Sequence, residues 1–359
     1  MICPKCDRVT KYRDMPTLKC PGCGYLYVLN PKEEAVSDRR VRKIADKLSE
    51  GEHYFTSEQL IAACLLKRER STSAYKALSV FVLAAAIAGV PWLVTQGVLD
   101  PSAGWVGGII LLACGIFAWF KNPKLDSLAR SVRRYLGAKG HPYHLNSKVV
   151  ERILDVLDRK DLKEWHADKA LIVDDADFAV YLYLNNFHRD QNCYILSEDK
   201  RPSGVYKSFQ QRVSAGEGLP TFIIHDAGLS EGQMLSRMRK DGGWQFLSEV
   251  RDLGIHAKDL PNTKHGTWIH RNSGTVYAHN KSTTFIDKMI AQDCIFVIDS
   301  VPVQKLSPAI AWCMASGLTL MSSEMFAAMS TNQSVAGGDG GSGGGSYGGG
   351  GCGGFDDFG

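Results

Sequence analysis

The stretch that decides the fold, residues 77–120, reads ALSVFVLAAAIAGVPWLVTQGVLDPSAGWVGGIILLACGIFAWF. Asp100 is the only charged residue in it and separates two apolar runs, Ala77 to Leu99 and Pro101 to Phe120. Each run is close to the roughly 20 apolar residues that a helix needs to span a bilayer. A buried helix of a water-soluble domain, the alternative, would normally be shorter and carry a polar face. We therefore predict a two-helix transmembrane hairpin over residues 74–120.

Positive charge flanks this hairpin on both outer sides and is missing from its loop. Basic residues precede it at Lys67, Arg68, Arg70 and Lys76 and follow it at Lys121, Lys124, Arg130, Arg133, Arg134 and Lys139. Lys and Arg beside membrane helices are retained on the cytoplasmic side. The prediction is an integral protein of a bacterial inner membrane, with both termini in the cytoplasm and the lipid bilayer as its first partner.

The bulk composition of the 359 residues fits this location. The formal net charge is only +4, and its basic residues concentrate beside the hairpin, where anionic headgroups account for them. The chain has 10 cysteines, of which those outside a paired N-terminal cluster are scattered. This pattern is not a disulfide framework and suits a reducing compartment.

The paired cluster is Cys3-Pro-Lys-Cys6 followed by Cys20-Pro-Gly-Cys23. Two Cys-x-x-Cys turns joined by a short hairpin can present four thiolates to one tetrahedral zinc ion. This segment resembles the zinc-ribbon family over residues 1–30. The resemblance implies one structural Zn²⁺ held by the four cysteines, and it leaves open whether the ribbon binds protein, binds nucleic acid or only stabilises the fold. A redox Cys-x-x-Cys, the alternative, would occur singly between a strand and a helix.

Charged helical segments lie on either side of the hairpin. In a linker over residues 31–73, Val41, Ile44, Ala45 and Leu48 have helical spacing, and a second helix opens at Ser57. Its basic group of Arg39, Arg40, Arg42 and Lys43 either contacts phosphate or forms a solvated face. Residues 121–146 form a basic juxtamembrane helix and linker, with Leu128 and Val132 on an apolar face predicted to lie at the headgroup surface.

Residues 147–333 alternate strand and helix signals and are predicted to form a three-layer, Rossmann-like α/β domain on the cytoplasmic side. Predicted strands are Ala170–Val173, Cys193–Leu196, Thr221–Ile224 and Cys294–Ile298, with weaker ones at Ile255–Ala257 and Val276–Ala278. Predicted helices are Ala176–His188, Ser203–Val213, Glu231–Leu253 with an interruption at Gly242-Gly243, Thr284–Ala291 and Pro308–Ala315. Short apolar strands separated by helices indicate a parallel sheet covered on both faces.

Acidic residues follow several of these strands. Asp174 and Asp175 come after the first, and Asp226 after the third. The carboxyl ends of parallel strands meet at one edge of a sheet, so these three are the candidate catalytic residues, around a divalent ion. Helix capping is the alternative and the favoured interpretation. No phosphate-binding glycine motif follows the first strand, so no dinucleotide cofactor is expected.

The histidines His225, His256, His265, His270 and His279 show no metalloprotease spacing and are interpreted as loop residues. Residues 334–359 form a Gly-rich tail predicted to be disordered, and the tail resembles those of several bacterial membrane-protein families. Two functions follow. The favoured one is a membrane-anchored adaptor or sensor that recruits a protein partner through its α/β domain and tail. The alternative is a divalent-metal-dependent enzyme acting on a nucleotide or nucleic acid, and nucleic acid is the less favoured partner.

Overall fold

The computed structural model describes residues 2–11, 17–30, 34, 36–65, 125–159, 166–228, 232–262 and 266–322. The predicted hairpin over residues 74–120 and the predicted tail over residues 334–359 both lie outside this part of the chain. Within the described part, no helix combines the length and the apolar character needed to cross a membrane.

Three helices form the N-terminal part of the fold: α1 (Asp38–Ser49), α2 (residues 57–65) and α3 (Leu125–Lys139). A reciprocal cap starts α2. The Thr56 hydroxyl accepts from the backbone N–H of Gln59, and the side-chain oxygen of Gln59 accepts from the backbone N–H of Thr56. This exchange satisfies two backbone donors that the first turn would otherwise leave unpaired. The sequence prediction that a helix opens at Ser57 is confirmed.

The apolar faces of these helices pack together in what we call the helical cluster. Its buried side chains include Val41, Ile44, Ala45, Leu60, Ile61, Leu65, Leu128, Val132 and Leu136. The prediction that the apolar face of residues 121–146 rests on lipid headgroups is therefore wrong for α3. The stripe of a single amphipathic helix does not reveal its partner, and here two other helices cover it.

A second, larger core surrounds a four-stranded parallel sheet. Its strands are β1 (Lys169–Val173), β2 (Cys193–Ser197), β3 (Thr221–Ile224) and β4 (Val250–Asp252), in the order β2-β1-β3-β4. In register, Leu171 lies beside Ile195 of β2 and Phe222 of β3. The α/β class with a parallel sheet and the first three predicted strands are confirmed. Strands β1 to β3 are almost entirely buried, as parallel strands covered on both faces should be.

Helices α4 (Ser147–Arg159), α5 (Ala176–Leu184), α6 (Phe187–Asp190), α7 (Ser203–Ser214) and α8 (Met234–Lys240) accompany this sheet. Helix α5 packs on β1 and β2, α7 packs on β2, and α4 contacts both α5 and α7. The single helix predicted over Ala176–His188 is interrupted, because Asn186 adopts a left-handed backbone with a φ of 62°. A helix cannot pass through that conformation.

A separate antiparallel sheet, in the order β6-β5-β7, contains β5 (Thr267–His270), β6 (Val276–Ala278) and β7 (Cys294–Phe296). The predicted strand at Cys294 therefore exists, but its placement in the parallel sheet is wrong. Strand β7 pairs with β5, and a backbone bridge between Ala227 and Phe296 joins the two sheets. Helices α9 (Thr283–Ala291) and α10 (Val303–Ser316) complete the described fold.

The segment between β3 and β5 departs most from its prediction. The helix predicted over Glu231–Leu253 is confined to α8, and Val250–Asp252 instead forms β4 at the edge of the parallel sheet. The interruption predicted at Gly242-Gly243 is confirmed, because Gly242 has a φ of 66°, a left-handed conformation that ends a helix, but the helix predicted to continue after it is wrong. The weaker strand predicted at Ile255–Ala257 is also wrong, since a 3₁₀ turn begins at Ala257.

The helical cluster is bonded to the α/β domain through buried polar groups. The Gln59 side-chain amide donates to the Tyr181 hydroxyl at 2.6 Å and to the Val301 carbonyl at 2.8 Å. The Thr56 hydroxyl donates to the carbonyl of Asp299 at 3.0 Å. Segments before and after residues 74–120 therefore form one interface, beside the carboxyl edge of the parallel sheet.

Candidate functional site

The four N-terminal cysteines lie together, as the sequence predicts. The Sγ atoms of Cys3 and Cys23 are 3.5 Å apart, and those of Cys6 and Cys20 are 3.7 Å apart. The ligand atoms of all four fall within 4.8 Å of one another. Zn–S bonds of about 2.3 Å in a tetrahedron place sulfur atoms about 3.8 Å apart. The residues therefore fit a single metal ion of the zinc type.

The two Cys-x-x-Cys turns have the same backbone design. The N–H of the residue after each pair bonds back to the first cysteine carbonyl, from Asp7 to Cys3 at 3.0 Å and from Gly24 to Cys20 at 2.9 Å. Both turning residues are left-handed, with φ of 54° at Asp7 and 72° at Gly24. Backbone amides point at sulfur as a result, and hydrogen bonding from the Cys23 N–H lowers the pKa of Cys20 to about 6. At Cys6 the Arg8 N–H also lowers the pKa, but hydrogen bonding with the other three thiols outweighs it and raises that pKa to about 12, so the four thiols share their protons unequally. Deprotonated thiols are the form that binds metal.

The ribbon is fixed to α1 through a buried carboxylate. Asp38 is fully buried and accepts three bonds of 2.9 Å, from the Tyr25 hydroxyl and from the N–H groups of Val28 and Leu29. On the surface, Arg39 pairs with Asp7 at 3.0 Å and Arg42 donates to the Pro4 carbonyl. These two arginines of the predicted basic group contact the ribbon itself, an outcome that neither sequence interpretation included.

The candidate acids lie at the carboxyl edge of the sheet, where β1 and β3 are neighbours. Asp174 directly follows β1, and its Oδ2 accepts from the N–H of Asp226 at 3.2 Å. Asp226 is the second residue after β3, and its Oδ1 accepts from the N–H of Ile298 at 2.7 Å. After β1 the chain runs to β2 on one side of the sheet, and after β3 it runs to β4 on the other side. The position between two strands whose connections run in opposite directions is where α/β folds commonly bind ligands.

Burial dominates the electrostatics of this edge. It raises the pKa of Asp226 well above the usual range, and the charges of Asp174 and Asp299 add to the effect. Burial also raises the pKa of Asp299, next to Glu58 of α2. Asp175 is an exposed residue of the fold, but desolvation of its carboxylate and the neighbouring Asp174 raise its pKa to about 6. Carboxylates at such close quarters cannot all be ionised.

Each candidate acid also has a structural use. Asp175 is the N-cap of α5, accepting from the Phe178 N–H at 2.7 Å, while Asp174 and Asp226 each hold a backbone N–H. Asp174, Asp175 and Asp226 do not form one of the compact ligand groups that occur in the described part of the chain. The capping interpretation is thus confirmed for Asp175, and the catalytic role of the three stays a prediction.

A second compact group combines His225, Asp252 and His256, whose ligand atoms lie within 4.8 Å of one another. His225 Nε2 is 3.2 Å from Asp252 Oδ2, and the His225 and His256 rings meet edge to face with centroids 5.5 Å apart. Burial lowers the pKa of His225, but the bond to Asp252 outweighs it and the net shift is upward. From the sequence, His225 and His256 are interpreted as loop residues, and Asp252 is not predicted to belong to a site.

The other described histidines of that sequence group have local partners. His279 accepts from the Trp268 indole N–H at 3.1 Å and its other nitrogen is 3.1 Å from the Leu260 carbonyl. His270 Nδ1 accepts hydrogen bonds from the backbone N–H groups of Asn272 and Ser273 in its own turn. No signal in the sequence separates these residues from His225 and His256, because the distinction depends on the strand pairing of β3 with β4.

Comparison of the chain with protein-family models, with curated proteins and with solved structures finds no match. The described fold itself defines the class: an α/β domain with a four-cysteine, zinc-ribbon-like N-terminal site.

Proposed function

We propose that this protein is a membrane-anchored adaptor or sensor of the cytoplasmic face, with a structural zinc ribbon. One observation carries the proposal. Leu65 at the end of α2 and Leu128 near the start of α3 are buried in the same helical cluster. The described residues on the two sides of the apolar stretch therefore lie at one place, as a hairpin that crossed a bilayer twice would require. The positive flanks agree with that orientation.

The contacts of Gln59 with Tyr181 and Val301 support the same topology. They join residues before the apolar stretch to residues after it, and a chain anchored by that stretch would have both on the same side of the membrane. The carboxyl edge of the sheet, where α/β enzymes usually place their chemistry, is bordered by α2 and by the chain's own backbone donors. This favours a recruiting role over a catalytic one.

A cleft of about 510 Å³ between the ribbon, α1 and α3 is suited to a protein partner. Its lining includes Tyr25, Arg42, Tyr135, Lys139 and His141, together with one acidic residue, Asp46, which pairs with Arg42 and His141. The Lys139 ammonium lies 4.3 Å from the centre of the Tyr25 ring, so cationic and aromatic groups share one surface. Aromatic side chains and arginine are enriched in protein interfaces. An acidic segment with aromatic residues is the partner chemistry that matches.

Topology is tested by labelling intact cells with a membrane-impermeant thiol reagent. A cysteine placed beside Asp100 should be labelled, and one placed at Ser334 should be labelled only after the membrane is opened. Labelling at Ser334 in intact cells would overturn the orientation. The recruiting role is tested separately, by purifying the full chain from native membranes in mild detergent. A protein partner should co-purify with the parent chain and be lost when Arg42 and Lys139 are both changed to Ala.

The alternative, an enzyme, is supported by one observation: Asp174 and Asp226, both partly buried, lie beside each other where the chain leaves β1 and β3. It would be favoured if the purified chain hydrolysed a nucleotide or nucleic acid with Mg²⁺ and lost that activity in Asp226→Asn.

A further inference from the structure

The group of His225, Asp252 and His256 has no part in the proposed adaptor function. Its members come from three places: the loop directly after β3, the last residue of β4, and the loop that follows β4. Backbone pairing brings them together, because Ile223 lies beside Asp252 in register and the Ile255 N–H donates to the His225 carbonyl at 3.1 Å. The group is therefore built by the sheet and not by chance contact of loops.

Two of its members, His225 and Asp252, already have the separation of metal ligands, and the ligand atom of His256 lies within 4.8 Å of both. His225 Nδ1 is 2.9 Å from the carbonyl of Asp226, so a proton on Nδ1 is accounted for and Nε2 faces Asp252. Metal-binding histidines characteristically donate their second nitrogen to such a carbonyl. Bonds of about 2.0–2.1 Å from zinc to nitrogen and oxygen put neighbouring ligand atoms about 3.3 Å apart. The observed Nε2···Oδ2 distance is 3.2 Å.

Two further features hold the ligands in place. The Asp252 Oδ1 atom accepts from the Gly254 N–H at 2.8 Å, leaving Oδ2 towards His225. The backbone at Gly254 passes so close to the imidazole that a Cβ there would meet His225 Nε2 at 2.5 Å. Only glycine allows that approach, so the ring is confined between the loop and the strand.

We propose that His225, Asp252 and His256 bind a divalent transition metal, with Zn²⁺ the best-matched ion, at a site separate from the cysteine ribbon. Two imidazoles and one carboxylate leave at least one coordination position open for water or another ligand. The competing explanation is a His225–Asp252 ion pair that requires no metal and in which His256 is only a ring neighbour.

The two explanations differ at His256. The full chain is purified in detergent, stripped of metal and titrated with Zn²⁺. After unbound metal is removed, the zinc per chain is counted by elemental mass spectrometry of the acid-digested protein. The parent chain should bind two equivalents, and His256→Gln and Asp252→Asn should each bind one. His270→Gln, a change at a turn histidine, is the matched control and should keep two. The dissociation constant of the second equivalent should rise in His256→Gln by more than the 10- to 100-fold that loss of an outer-shell partner causes.

Cobalt separates this site from the ribbon. In Cys20→Ser/Cys23→Ser, which leaves only two thiolates at the ribbon, Co²⁺ should give ligand-field bands with little sulfur charge-transfer absorption, and adding His256→Gln should remove those bands. Melting curves taken without metal check that His256→Gln is folded. The proposal is overturned if a folded His256→Gln binds as much metal as the parent, or if Cys20→Ser/Cys23→Ser binds none.

Discussion

The side-chain amide of Gln59 donates a 2.6 Å hydrogen bond to the phenolic oxygen of Tyr181, which ties the first turn of α2 to the helix after β1. The same amide donates to the Val301 carbonyl, so one buried side chain links three separate segments. Residues on the two sides of the apolar stretch are thereby held as a single folded unit.

Gln59→Ala should destabilise the protein by roughly 2–4 kcal/mol, because it leaves buried polar groups of Tyr181 and Val301 without their bond. Chemical denaturation of the full chain in detergent measures the change. Gln211→Ala, a change at an exposed position of α7, is the matched control and should cost well under 1 kcal/mol. Tyr181→Phe in a double-mutant cycle should show coupling with Gln59, and additive effects would contradict the contact.

Cys20→Ser should weaken binding of the thiolate-bound metal and lower the melting temperature, because a short ribbon with few apolar residues depends on its metal for folding free energy. The readout is the sulfur-to-cobalt charge-transfer band after Co²⁺ substitution. It should be strongest in the parent chain, lower in Cys20→Ser, which keeps three thiolates, and lowest in Cys20→Ser/Cys23→Ser. Cys64→Ala, at a buried cysteine of the helical cluster, should keep the band. A band of unchanged intensity in Cys20→Ser would exclude the four-cysteine site.

His144 should make stability depend on acidity. Burial lowers its pKa from 6.5 to about 4, and its Nε2 lies 2.9 Å from the Ser57 hydroxyl. Between those two values the unfolded chain binds more protons than the folded one, so stability falls as the pH drops through this window. The loss should reach about 2–3 kcal/mol at its lower end and be absent above the upper end.

Denaturant midpoints measured across the same pH window check this prediction. His144→Gln should be less stable at neutral pH, because it loses its packing against Phe55, but its midpoint should change less with acidity. His53→Gln, at a partly exposed histidine, serves as the control and should keep the parent's slope. An unchanged slope in His144→Gln would show that other groups cause the acid sensitivity.

Asp226→Asn should stabilise the folded chain at neutral pH by roughly 1–3 kcal/mol. The raised pKa of Asp226 means that stability is lost as pH rises from the ordinary carboxyl range through the folded value. An amide oxygen can still accept from the Ile298 N–H and carries no charge. Asp190→Asn, at an exposed carboxylate, should have little effect.

The same variants distinguish the adaptor from the metal-dependent enzyme. Under the adaptor proposal, Mg²⁺ should leave the melting temperature of the parent chain unchanged. A Mg²⁺-dependent rise that disappears in Asp226→Asn and persists in Asp190→Asn would indicate a cation held by the strand-end acids.

The sequence by itself determined the elements whose signals are local. The four cysteines predict a metal site because each Cys-x-x-Cys turn fixes the position of its own two thiols by local backbone geometry. Three strands of the parallel sheet, among them Thr221–Ile224, are evident as short apolar runs between helices. The predicted hairpin over residues 74–120 also rests on local composition alone.

Tertiary structure decided everything that depends on which segments pair. Cys294–Phe296 has a strand's composition, but only the contact with β5 places it in an antiparallel sheet. The stripe on α3 predicts burial without saying whether lipid or protein covers it. His225, Asp252 and His256 look like unrelated loop residues until β4 joins β3. Local sequence patterns determine whether a segment is helix or strand and which of its faces is buried. Which other segment covers that face depends on packing between residues that are far apart in the sequence, so a local pattern cannot predict it.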